Sequence, residues 1–260
     1  MSPSAIDAAA ARLLEAYETR VPIQPLTEEF GNLDIEDAYE IQREQIEFFV
    51  RAGGILRGHK VGLTSAVMQR QLKVDRPDFG SLLDAMFYPE YMPIVAGTFL
   101  QPRVEPEIAF VLKSDIVGPG INVAQVLAAV ECVLPSLEII DSRIRDWKIT
   151  IVDTIADNAS SGGVVLGSKR TDISDLDLRL VGCTLRKQGE VVATGAGGAV
   201  LGTPVAALVW LANTLGRKGI SLKAGQVILP GSVTASIPVI AGDTVTANFG
   251  NLGTVSATFG

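Results

Sequence analysis

The sequence predicts an α+β fold, mostly β, with a helical extension at its N-terminus. Three observations carry that reading. Apolar residues recur at helical spacing up to Val50; from Gly58 onward the pattern becomes short apolar runs broken by Gly, Pro and Asp; and only isolated helical stretches interrupt those runs. The 260 residues, 47% hydrophobic, suffice to bury a sizeable core.

The elements follow in order. Ser2 caps and Pro3 opens a helix running through Leu13, Leu14 and Tyr17. Asp34 caps a second, in which Ile35, Ala38, Tyr39, Gln42, Ile46, Phe49 and Val50 share helical spacing and Gly53-Gly54 ends the run. Short helices are expected over Ser65 to Leu72 and Val123 to Val130. Strands are expected over Ile108 to Leu112, Leu137 to Ile140, Val164 to Leu166, Leu178 to Arg186, Glu190 to Ala193, Val227 to Leu229 and Thr244 to Asn248, with a hairpin turn at Gln188-Gly189. Thr203 and Pro204 start a last helix through Val205, Leu208, Val209, Leu211 and Ala212, and Gly219 follows its end. No Pro/Gly/Ser linker divides the chain, so residues 1–57 are read as a helical extension of a catalytic body at 58–260, one compact unit overall.

Composition narrows the function. A formal charge of −7 and a pI near 4.9 oppose nucleic-acid and anionic-membrane partners. The apolar stretch Ile121 to Ile140 is too often interrupted by polar residues to span a bilayer. The N-terminal residues have neither the basic nor the apolar region of a secretory signal, and Cys132 and Cys183 read as inert buried thiols without metal spacing. A cytoplasmic protein is expected. The run Gly195-Ala-Gly-Gly198 lacks the spacing of a phosphate loop and reads as a tight turn or close backbone packing.

Three carboxylates carry the chemistry. Glu105 and Glu107 lie in Arg103-Val-Glu-Pro-Glu-Ile-Ala-Phe-Val-Leu112, and residues two apart on an extended chain point to one face. Glu138 lies among Leu137, Ile139 and Ile140, where a carboxylate is expensive unless paired or coordinated. An oxygen-only set selects a hard cation, Mg²⁺ or Mn²⁺, and His59, the chain's single histidine, cannot build a His-rich site. Two other readings stay open on these residues: a solvated sheet rim, and pairing with Arg103, Arg143 or Arg145 without any metal.

Five segments carry a resemblance: Gly58-His-Lys-Val-Gly-Leu-Thr-Ser65, Val74-Asp-Arg-Pro-Asp-Phe-Gly80, Gln101-Pro-Arg-Val-Glu-Pro-Glu-Ile-Ala109, Ser142-Arg-Ile-Arg-Asp-Trp147 and Asp153-Thr-Ile-Ala-Asp-Asn-Ala-Ser160. Together, in register over nearly the whole chain, they resemble the 2-hydroxypenta-2,4-dienoate hydratases, also called 2-oxopent-4-enoate hydratases. The resemblance implies the rolled sheets of the fumarylacetoacetase C-terminal-domain fold. It implies Mg²⁺ or Mn²⁺ at Glu105, Glu107 and Glu138, where the ion's charge would stabilise negative charge on a substrate 2-oxygen.

The implied reaction, in the meta-cleavage degradation of aromatic compounds, converts 2-hydroxypenta-2,4-dienoate to 4-hydroxy-2-oxopentanoate by ketonisation and then addition of water. Lys60 and Asp78 are its implied catalytic residues. The Lys60 ammonium would hold the substrate or, with a depressed pKa, exchange a proton, and Asp78 would move a proton or orient water. Asp157, Asn158 and Ser160 are the implied substrate-binding groups, and His59 is read as structural. A large homo-oligomer and a complex with a related decarboxylase are implied partners. Neighbouring readings are a hydratase of 2-oxohept-4-ene-1,7-dioate, with Arg76 or Arg145 for the second carboxylate, and a 2-oxohex-3-enedioate (4-oxalocrotonate) decarboxylase. Asp78 argues against the latter, whose family pattern has an apolar residue there. A reading from another class makes the chain a non-catalytic partner subunit of such a decarboxylase.

Overall fold

A computed structural model describes residues 1–66, 69–70 and 74–260. Helices α1 (Pro3–Thr19), α2 (Leu26–Glu29) and α3 (Ile35–Arg51) form the N-terminal extension. Pro3 is the first residue of α1, as expected, and Asp34 caps α3 in a reciprocal box: its carboxylate accepts from the Asp37 amide while the Asp37 carboxylate accepts from its own. The expected helix over 65–72 includes residues 67, 68, 71 and 72, which lie outside the described residues.

The helices are docked, not appended. Leu13, Ala16, Leu26, Ala38 and Ile41 share one apolar cluster with Ile144 and Ile155 of the body, and Tyr39 stacks on Phe79 with ring centroids 4.4 Å apart.

The described residues of the body form two sheets. The larger contains β1 (Leu56–Gly62), β2 (Asp78–Leu83), β3 (Phe87–Tyr88), β4 (Arg103–Leu112), β5 (Val130–Ile140), β6 (Ser161–Leu166), β9 (Val227–Leu229) and β10 (Ile237–Pro238). Its order is β2-β1-β9-β4-β5-β6-β3, with β10 beside β4. The smaller is β12 (Gly253–Thr258), β11 (Thr244–Phe249), β7 (Gly182–Lys187) and β8 (Glu190–Ala196), in that order. Further helices among the described residues are α4 (Val123–Ala129), α5 (Ile151–Ala156) and α6 (Pro204–Arg217).

Ile108, Phe110, Leu137 and Ile139 of the large sheet, Val245, Ala247 and Val255 of the small one, and Leu208, Leu211 and Leu215 of α6 meet in one core. Burying them supplies the main favourable term of folding. Residues 197–217 are long and apolar enough to cross a membrane, but within them α6 is the core helix just described. Cys132 and Cys183 are buried free thiols.

The strands differ from expectation in extent. β4 and β5 are longer than their apolar runs, so Glu105, Glu107 and Glu138 lie within paired strands and not at a rim. The strand expected from Leu178 begins only at Gly182. β1, β2 and β12 were not anticipated, because Leu-Arg-Gly-His-Lys-Val-Gly, Asp-Phe-Gly-Ser-Leu-Leu and Gly-Thr-Val-Ser-Ala-Thr dilute their apolar residues with Gly and polar groups. The glycine run is close packing: a Cβ on Gly195 would lie 1.9 Å from the Val233 carbonyl oxygen, and one on Gly197 1.8 Å from that of Leu178.

Candidate metal centre and active site

Strand register assembles the carboxylates. β4 and β5 run antiparallel with Glu105 opposite Glu138 and Glu107 opposite Ser136, so all three glutamates share one face. One oxygen from each lies within 4.8 Å of the others.

The neighbouring strand leaves room for them. β9 separates β1 from β4 only as far as Leu229, which pairs with Lys60. Beyond it the Lys60–Gly62 end of β1 faces the glutamate end of β4, which β10 joins only at Arg103 and Val104. Gly231, two residues past β9, donates its amide to Glu107 Oε2 at 2.8 Å. Its φ of +121° and the 1.9 Å that would separate a Cβ from Thr64 Oγ1 admit only glycine.

Lys60 and Asp78 enter from β1 and β2. The Lys60 Nζ lies 3.2 Å from Glu138 Oε1. Asp78 is opposite Gly62, whose missing side chain makes space for its carboxylate; a Cβ there would sit 2.1 Å from Oδ1. A cavity of about 460 Å³ opens onto these groups, lined also by Arg103, Trp147, Ile149, Thr154, Ser160 and Ser236.

The charges do not balance. Burial pushes Asp78 up to about 6 and Glu105 up to about 7, with Lys60 opposing both, and drives Glu107 well above the ordinary carboxylate range with help from Glu138 and Glu105. Burial would lower the Lys60 ammonium, but Glu138, Asp78, Glu105 and Glu107 outweigh it and hold the pKa above its ordinary value. With no cation on the glutamates, Lys60 is thus the reverse of the depressed lysine considered from sequence.

A divalent ion fits this donor set. Glu138 has both carboxylate oxygens buried without a hydrogen-bond donor, although Lys60 stands near one of them. An oxygen-rich, negatively charged cluster suits a hard cation. The arginines considered as alternative partners are engaged elsewhere: Arg103 with Ser236, Arg143 with Asp157, and Arg145 with the Pro22 carbonyl.

The residues expected to bind substrate separate into two groups. Ser160 lines the cavity, with its hydroxyl 3.3 Å from that of Thr154. Asp157 instead receives Arg143, and Asn158 pairs its side-chain amide with both backbone groups of Ser81. His59 is buried, and burial pushes its pKa down to about 4. Arg76 pairs with Asp75 on the surface. Thr154 and Gly231 were not singled out from sequence. Thr154 lies inside a segment quoted for the resemblance, and Gly231 follows Pro230 in a turn signal after a strand.

The family model described as fumarylacetoacetate hydrolase C-terminal matches residues 57–259. The chain belongs to this family. The match begins after α3. Among relatives of this fumarylacetoacetate hydrolase family chain, a 2-keto-4-pentenoate hydratase of Paraburkholderia xenovorans (strain LB400) is 44% identical over 259 residues, covering 100% of this chain and 96% of the relative. A 2-hydroxypent-2,4-dienoate hydratase of Pseudomonas putida is 48% identical over 211 residues, covering 80% and 95%. The solved structure of 4-oxalocrotonate decarboxylase from Pseudomonas putida G7, complexed with magnesium and adipate, superposes with a TM-score of 0.96 at 35% identity, covering 100% of this chain and 98% of that one.

Proposed function

We propose that the protein is a divalent-metal-dependent hydratase that converts 2-hydroxypenta-2,4-dienoate to 4-hydroxy-2-oxopentanoate. The observation that carries this reading is the Glu105–Glu107–Glu138 cluster beside Lys60, with Lys60, Asp78 and Glu105 lining one cavity. The similarity to hydratases of this substrate class supports it.

Each half of the reaction moves one proton from oxygen to carbon. Ketonisation takes it from the 2-hydroxyl to carbon 5; hydration takes it from water to carbon 3 as the hydroxyl bonds to carbon 4. Asp78, with a pKa raised to about 6, serves both halves because it accepts and returns a proton near neutrality. Lys60 remains an ammonium and binds the substrate's carboxylate end, and the Ser160 hydroxyl orients a substrate oxygen. Glu105, Glu107 and Glu138 would hold Mg²⁺ or Mn²⁺, which supplies positive charge against the negative charge that develops on the 2-oxygen. Asp157 and Asn158, engaged with Arg143 and Ser81 behind the cavity lining, do not contact substrate in this reading.

A longer diacid is the second reading. Arg103 lines the cavity and offers its cation to a second carboxylate. Homo-oligomerisation and pairing with a related decarboxylase stay with the proposal as consequences of the resemblance, checked by sedimentation of the protein alone and with that partner.

The test is turnover of freshly generated 2-hydroxypenta-2,4-dienoate by chelator-treated protein, with and without Mg²⁺ or Mn²⁺, the product identified by NMR. Metal-dependent 4-hydroxy-2-oxopentanoate is expected. Turnover of only the seven-carbon diacid would move the substrate to the second reading, and decarboxylation would overturn hydration.

A further inference from the structure

Three consecutive residues beside the cavity are left-handed: Asn158, Ala159 and Ser160 have φ of 51°, 50° and 54°. None is glycine, so the local chain disfavours this turn and something else must hold it. Arg143 spans it. This fully buried guanidinium donates from Nη2 to the Asp157 carbonyl at 2.7 Å and from Nη1 to the Ser161 carbonyl at 2.9 Å, bridging the two peptides that flank the turn. Its Nε donates to Asp157 Oδ1 at 2.5 Å, and the Arg143 amide donates to Oδ2 at 3.0 Å. The Tyr17 ring of α1 covers the guanidinium at 4.5 Å, so the N-terminal extension closes the clamp.

The turn has two outputs. Ser160 enters the cavity, and the Asn158 side chain grips the Ser81 backbone on β2, the strand that carries Asp78. We propose that Arg143 and Asp157 are positioning residues of the hydratase, locking the 158–160 turn so that Ser160 faces the substrate and β2 keeps its place. This inference rests on the hydratase reading for its consequence in turnover, while the clamp itself is a property of the chain.

The experiment is a pair of double-variant cycles with hydrogen exchange as an independent arm. Arg143→Lys keeps the charge and loses the fork; Tyr17→Leu, at a half-buried position, removes the cover together with the edge contact of Tyr17 on Phe49, and serves if Arg143→Lys does not fold. Each is combined with Ser160→Ala. In each single variant kcat is expected to fall about tenfold or more while Mn²⁺ affinity by calorimetry stays within about twofold, and each double variant should be no slower than about twofold below its slower single variant. Losses that multiply, or unchanged kcat in a folded Arg143→Lys, would overturn the assignment. Exchange of the amides at 158–161 is expected to quicken in Tyr17→Leu, with β4 and β5 still protected. Unchanged exchange overturns the clamp. A parent chain without dienoate turnover overturns the hydratase reading instead, and the exchange arm then decides the clamp alone.

Discussion

Glu138 has the least satisfied side chain of the triad, because neither oxygen accepts a hydrogen bond in an apolar strand interior. Glu138→Gln is expected to weaken Mn²⁺ binding by at least about tenfold and to lower activity with it; calorimetry giving parental affinity would remove Glu138 from the ligand set. Asp78 sets a different dependence. Its carboxyl is protonated below about pH 6 and ionised above, so the form that accepts a proton from water accumulates as pH rises. At saturating metal, kcat/KM is expected to climb through an apparent pKa near 6 and level off above it. Asp78→Asn should slow the reaction and flatten that limb while leaving Mn²⁺ affinity nearly unchanged, and persistence of the limb in this variant would assign it to another group. That the three glutamates need a partner could be read from sequence, because carboxylates in apolar runs are costly wherever they fold; that they lie together could not. Lys60 could not be read in full: its charge state depends on acids contributed by β2, β4 and β5, and isolated burial would have lowered its pKa.

At the scale of elements, β1 and β2 matter more than their sequences suggest. Gly62 is small because Asp78 lies opposite it, so Gly62→Ala should displace the Asp78 carboxylate without touching a glutamate. A fall in kcat of about tenfold with Mn²⁺ affinity retained is expected; parental kinetics would show that the carboxylate finds its place without that space. The α3 cap gives the contrasting case. Asp34→Ala removes the reciprocal box far from the cavity and should cost about 1 kcal/mol, lowering the melting temperature by about 2–4 °C with kcat and KM unchanged. This cap was legible because its partners are three residues apart. The roles of Asp157 and Asn158 were not, because their partners Arg143 and Ser81 arrive through tertiary packing. The same packing engages both residues with protein groups, Asp157 with Arg143 and Asn158 with the Ser81 backbone.

For the whole molecule, the imbalance of charge links metal to stability. Asp78 and Glu105 have folded pKa values raised to about 6 and about 7, so the metal-free fold binds more protons than the unfolded chain between about pH 4 and 7. The sign follows: this contribution destabilises the metal-free fold as pH rises through that window, whereas deprotonation readies the glutamates for a cation. Mn²⁺ is therefore expected to raise the melting temperature, and the gap between metal-loaded and chelated protein should widen from pH 5 to 7.5. Differential scanning calorimetry showing a constant or narrowing gap would contradict the linkage. Glu138→Gln should shrink the gap at every pH.

The sequence by itself determined the α+β class, the helix starts at Pro3, Asp34 and Pro204, the buried thiols and the need of three glutamates in apolar runs for a partner, because each depends on local spacing, capping or the cost of burying charge. Only the tertiary structure decided where β9 stops, and thereby which ends of β1 and β4 face each other across the cavity. It also decided that Lys60 lies against Glu138 and that Arg143 answers Asp157 and not the glutamates. Those outcomes depend on strand order and on side chains brought together from distant parts of the chain, which no local pattern encodes.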